Sequence, residues 1–199
     1  MLLKIFEPLQ QNHGTSDLRY RNDKMRLTLG LLLIVLLCGC AKNDWRTASR
    51  ESAGIASDPA KHAESIIEVY AADAYSWRGW FAVHCWIAVK PENAEQYTVY
   101  EVVGWRVKRG LPALYSYQTA TPDRYWYGAK PEKLLSIVGE KASELLPKVE
   151  AAIARYPWAD EYTLFPGPNS NTFPAWIGKQ VPELGLKLPF RAIGSGYAD

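Results

Sequence analysis

Residues 80–90 read WFAVHCWIAVK. The run is rich in aromatic and β-branched side chains and free of glycine and proline, which makes it the strongest strand signal in the chain. Its odd positions, Phe81, Val83, Cys85, Ile87 and Val89, form a wholly apolar face, and its even positions, Ala82, His84, Trp86 and Ala88, a mixed one. Pro91-Glu92-Asn93-Ala94 suits a four-residue hairpin loop built on a type I turn, and residues 95–108 return as the next strand. Lys90 then faces Glu95, and His84 stands opposite Glu101. Directly opposed Cβ atoms lie about 4.5–5.5 Å apart, close enough for an imidazole–carboxylate hydrogen bond. Such a bond fixes the histidine tautomer and stabilises the imidazolium. A slip of one residue would turn Glu101 to the other face.

Outward from this hairpin, residues 65–72 (SIIEVYAA) read as a preceding strand, residues 112–119 as a following one, and residues 134–138 as a short one. Residues 140–156 read as helical, with Leu145, Leu146, Val149, Ile153 and Tyr156 on one side. Pro147 should kink this helix or start a second one. Residues 161–165 look extended. Gly167-Pro168-Asn169-Ser170-Asn171 is a turn able to cap a last helix over residues 172–180, where Pro174 fits the first turn. Strands followed by helices give an α+β class, a small antiparallel sheet packed with helices.

The N-terminal end reads as an address. Arg21, Lys24 and Arg26 precede an apolar run from Leu27 to Leu37, broken only by Thr28 and Gly30, which ends in Leu37-Cys38-Gly39-Cys40. Eleven helical residues span about 16 Å, well short of a ~30 Å hydrocarbon core, so a secretory signal fits better than a permanent membrane span. Met25 reads as the true start. Residues 1–39 are therefore set aside as upstream extension and signal, 40–61 read as a polar tether, and 62–199 as a single domain. Residues 1–39 hold five Lys/Arg and three Asp/Glu, leaving 18 of each sign in the remainder. A formally neutral chain with no basic run gives nucleic-acid binding little support.

The break at Cys40 resembles the lipobox of bacterial lipoproteins, with Cys38 at a position more often held by alanine or serine. The resemblance implies a diacylglyceryl thioether on Cys40, cleavage before it, and attachment to the membrane. With Ala41 next, it implies sorting to the outer membrane, facing the periplasm. Cys85 is then the only thiol, so no internal disulfide can form, and burial is expected for it. Only His62, His84 and Cys85 remain as imidazole or thiol ligands, which gives no metal site.

Asn169-Ser170-Asn171-Thr172-Phe173 stands at the expected helix start, where the helix dipole and backbone N–H groups can stabilise an oxyanion. It resembles the Asn-Cys-Asn-x-Phe motif of circularly permuted papain-like (NlpC/P60-type) hydrolases, in which a strand histidine precedes a helix-start nucleophile. The resemblance implies Ser170 as nucleophile and His84 as base; the hairpin register adds Glu101 as its orienting partner, and the adjacent Asn169 or Asn171 amides could support the oxyanion, with no cofactor. Serine in place of cysteine needs general-base removal of its proton. Ser170 is equally suited to a plain helix cap and His84 to a structural role. Across residues 58–197, FAVHCWIAVK, YTVYEVVGW, PDRYWYG and GPNSNTFPAW more closely resemble a bacterial family known as domain of unknown function 3750, which implies no activity.

All eight tryptophans follow Cys40. Trp77, Trp80, Tyr125, Trp126, Tyr127 and Trp158 could line a groove that stacks on sugar rings, or simply pack a small core. Trp45, near the anchor, suits the membrane interface. Two functions follow: an envelope amide or ester hydrolase acting on peptides, peptidoglycan or lipids, or a non-catalytic envelope-binding or structural lipoprotein.

Overall fold

The computed structural model describes residues 44–199, so the expected signal sequence, with Cys38 and Cys40, lies outside the described residues. Five strands form one sheet: β1 (Ile66–Asp73), β2 (Val83–Lys90), β3 (Tyr97–Val102), β4 (Leu114–Thr119) and β5 (Glu132–Val138). Their order is β4-β3-β2-β1-β5, and every pairing is antiparallel. The helices are a short α1 (Gly104–Val107), then α2 (Glu140–Ala154) and α3 (Thr172–Gln180). The expected α+β class is the observed one.

The alternation along β1 and β2 sorts the interior into two cores. Ile67, Val69, Ile87 and Val89 pack beneath α2 and α3, against Leu145, Val149, Phe173 and Ile177. The even-numbered side chains Ile66, Tyr70, Trp86 and Ala88 join Tyr97 and Val99 on the opposite face. Among the described residues no long helix covers that second face. Segments 49–57 and 122–129 lie over it instead, held by the fully buried Asp123. Its carboxylate accepts from Ser52 Oγ at 2.8 Å and from the N–H groups of Ile55 and Ala56 at 2.7 and 3.1 Å. The stretch read as a tether is thus docked from Ser49 onward, where Gly128 N–H donates to Ser49 O and Tyr125 N–H to Glu51 O.

Four local readings need correction. The β2–β3 connection runs over residues 91–96, and Ile87 pairs with Tyr100, Ala88 with Val99 and Val89 with Thr98, two residues from the expected register. The strand over 95–108 stops at Val102. Gly104 then opens α1, and a Cβ there would meet the Tyr162 ring at 2.4 Å, so glycine lets that ring pack against the backbone. Pro147 neither breaks nor divides α2. It lies on the solvent side, where water can serve the carbonyl left without its helical donor. Residues 161–165 join no strand, and Thr163 N–H closes a loop on Pro168 O at 2.8 Å.

Candidate functional site

β2 turns His84 toward the helix-free face, and β3 turns Glu101 toward the same face. A two-residue shift of register preserves the face, so the expected contact forms diagonally rather than across the ladder. His84 Nε2 lies 3.1 Å from Glu101 Oε2. Both side chains are buried, Glu101 almost completely.

Two residues the sequence did not single out hold the carboxylate. Tyr115, directly opposite Glu101 on β4, donates its hydroxyl to Oε1. Arg124 Nη2 donates to the same oxygen at 2.5 Å, with its guanidinium 4.9 Å over the Tyr117 ring. Trp126 closes the site by stacking on the imidazole, ring centroids 3.6 Å apart and planes 7° from parallel. The β3–β4 register could have pointed to Tyr115. Arg124 arrives from a loop, and no periodicity announces it.

Burial pushes the His84 pKa below its ordinary value, and the Glu101 hydrogen bond offsets this only in part. Burial alone would raise Glu101, but the hydrogen bond from His84, the Arg124 guanidinium and the Tyr115 hydroxyl hold it below the usual carboxylate range. The site is therefore an ionised Glu101–Arg124 pair beside a neutral imidazole. A carboxylate only accepts, so the proton of the neutral ring sits on Nε2 and the lone pair on Nδ1. Nδ1 has no hydrogen bond among the described residues, within a side chain that is buried as a whole. A lone pair without a partner is what a general base requires.

The turn bearing Ser170 docks at the start of β2. Asn171 Nδ2 donates to Val83 O, one residue before His84, and to Ile193 O, each at 2.9 Å. Asn169 Nδ2 donates to Leu164 O and Ile193 O, while its Oδ1 accepts from the N–H groups of Asn171 and Thr172. These amides cannot also hold an oxyanion, which corrects the expectation for both asparagines. The atom of Asn171 left without a partner is its buried Oδ1, an acceptor that would repel negative charge. Ser170 is buried at the N-terminus of α3. Neither its hydroxyl nor its N–H makes a hydrogen bond among the described residues, including to His84. The structure thus joins His84 to Glu101 on the helix-free face and pins the Ser170 turn to the start of β2, with α3 packed on the other face and no Ser170–His84 hydrogen bond.

A family model described as Protein of unknown function (DUF3750) matches residues 64–197. The chain belongs to the DUF3750 family. No curated protein and no solved structure matches it. In this DUF3750 domain the aromatics do not form one sugar-binding groove. Trp126 is occupied by His84, and Tyr125 and Tyr127 beside it are half-buried. Trp158 packs edge-on to Tyr156 and Tyr197, whereas Trp77 and Trp80 project into solvent. Cys85, on the helix-covered face, is fully buried, and burial pushes its thiol pKa up, which rules it out as a ready nucleophile.

Proposed function

We propose that this protein is a lipid-anchored hydrolase of amide or ester bonds in the bacterial cell envelope, facing the periplasm from the outer membrane. One observation carries the reading. His84 donates an Nε2–H hydrogen bond to an ionised Glu101 and leaves the Nδ1 lone pair without a protein partner, on the strand to whose first residue Asn171 pins the Ser170 turn. The order of a strand histidine and a helix-start Asn-Ser-Asn, shared with permuted papain-like hydrolases, supports it. The lipobox at Cys40 supports the location, and the location points to envelope peptides, peptidoglycan or lipids as substrates.

In this mechanism Ser170 Oγ attacks the substrate carbonyl carbon and its proton reaches Nδ1 of His84, on the opposite face of β2, through water. Glu101 stabilises the resulting imidazolium through Nε2–H. The N–H of Ser170, beside the positive end of α3, would donate to the carbonyl oxygen as charge develops on it. Collapse breaks the bond to the leaving amine or alcohol, which receives the His84 proton and leaves an acyl-Ser170. Water, deprotonated by Nδ1, then releases the acid and restores serine.

A second reading, a non-catalytic domain that binds envelope material with this site, is favoured by the missing Ser170–His84 hydrogen bond. One assay separates the two: purified protein is incubated with envelope fractions and new carboxylate-bearing products are followed by mass spectrometry. Hydrolysis that falls by about 10²–10⁴-fold in Ser170→Ala and in His84→Ala supports the enzyme. Absence of products, with co-sedimentation that survives both variants and is lost in Trp126→Ala, overturns it in favour of binding.

A further inference from the structure

The turn between β1 and β2 carries exposed aromatic side chains that no part of the catalytic reading uses. Ser76–Trp80 is a short 3₁₀ turn without a buried residue. Trp80 is 78% exposed, Trp77 58% and Phe81 50%, and the Trp77 and Phe81 rings lie 5.5 Å apart. Phe190, 98% exposed, is brought to the same place by its neighbour. Arg191 donates to Gly79 O and pairs with Asp73 at 2.9 Å, and its own carbonyl accepts from Val83 N–H. Soluble domains seldom gather large apolar side chains in one exposed place without a partner for them.

The path of the chain identifies the partner. Tyr75, which opens this turn, has its ring tilted against Tyr127 with centroids 5.1 Å apart. The Arg50 guanidinium lies 4.3 Å over the Tyr127 ring, and Gly128 N–H donates to Ser49 O. The N-terminal segment therefore enters the domain beside the aromatic turn. From Ser49 back to Cys40 is a span of nine residues, at most about 30 Å of extended chain. Trp45, half exposed with Arg46 over its ring at 4.9 Å, lies within that span. A lipid on Cys40 would keep Trp77, Trp80, Phe81 and Phe190 within reach of the bilayer that holds it. Indole is the side chain best suited to the headgroup region, with an apolar ring and one polar N–H.

We propose that Trp77, Trp80, Phe81 and Phe190 form a membrane-docking surface that seats in the interface of the anchoring bilayer. The inference rests on the lipid-anchor part of the reading above and is independent of catalysis. Docking would fix the orientation of the domain, because one acyl signal leaves it free to rotate and a second contact does not. It would also turn the Ser170 turn toward the bilayer, since Asn171 and Arg191 both bond to Val83 at this end of β2.

The test is tryptophan quenching of the full, membrane-extracted protein in vesicles of phosphatidylethanolamine and phosphatidylglycerol with brominated acyl chains. The emission should be quenched, and Trp77→Phe/Trp80→Phe should remove most of the quenchable part. Phe81→Ser/Phe190→Ser, which leaves every tryptophan in place, should cut the quenching at least about twofold. Near-ultraviolet circular dichroism confirms folding of each variant. An acylated protein whose emission is not quenched, or is quenched equally in Trp77→Phe/Trp80→Phe, overturns the surface and leaves the anchor standing. Intact mass reads the anchor separately. Should Cys40 prove unmodified, the anchor falls, and quenching at excess vesicle then decides for or against the aromatic turn alone.

Discussion

Glu101 is the residue on which the site depends. Its carboxylate is buried and balanced by Arg124, Tyr115 and His84. Removing one partner of a buried ion pair leaves the other charge desolvated and unpaired. Glu101→Ala is therefore expected to destabilise the domain by roughly 3 kcal/mol in urea unfolding, and a loss below about 1 kcal/mol would mean that Arg124 finds water instead. His84 sets a pH dependence. Its folded pKa lies below the ordinary 6.5, so the unfolded chain binds the proton more readily. Stability is then fully present above that value and is lost as pH falls toward the folded pKa. Glu101, also depressed, loses its contribution only as pH falls through its own lower folded value. Thermal melts should move to lower temperature from about pH 7 to 5. His84→Gln, which keeps a donor for Glu101 but does not titrate, should flatten that slope, and an unchanged slope would assign it to another group.

At the scale of elements, α2 shows how a helix tolerates an interior proline. Ala142, Leu145, Leu146, Val149, Ala152 and Ile153 fall on its buried stripe, and Pro147 faces water. Pro147→Ala restores an N–H to the helix without touching the core. It should stabilise the domain by about 1 kcal/mol or more, read as a higher melting temperature. No gain would mean that the surrounding turn has adapted to the proline. The strands were legible because period-two alternation and β-branched runs mark β1, β2 and β5 directly. The His84–Glu101 contact was legible for a narrower reason: the hairpin register was two residues off, and an even error leaves every side chain on its face. Arg124 and the Asn169–Asn171 bonds were not legible, since loops reach their partners by tertiary docking that no local pattern encodes. The end of β3 was missed because Gly104 acts through contact with Tyr162, a residue far along the chain.

At the scale of the molecule, two faces of one sheet are covered by different means. Helices close one, and the chain's own N-terminal segment, clasped by Asp123, closes the face that holds His84. Asp123→Ala removes three hydrogen bonds at once and should release residues 49–57. Limited proteolysis is expected to cut within that stretch in the variant and to spare it in the native protein; equal resistance would show that the segment holds by other contacts. The clasp also couples the site to the segment that leads back toward residue 40, because that segment bonds through Ser52 to the loop carrying Arg124.

The central claim is that Ser170 is a nucleophile activated by a neutral His84, and the most direct measurement is intact-mass detection of a fluorophosphonate adduct across pH. The account predicts a single adduct on Ser170, abolished in His84→Ala. Its rate should fall with acid only at a lower pH than a free imidazole would give, because burial holds His84 unprotonated further into acid. A folded protein that acquires no adduct on Ser170 between about pH 5 and 9, or acquires it equally without His84, would contradict the account.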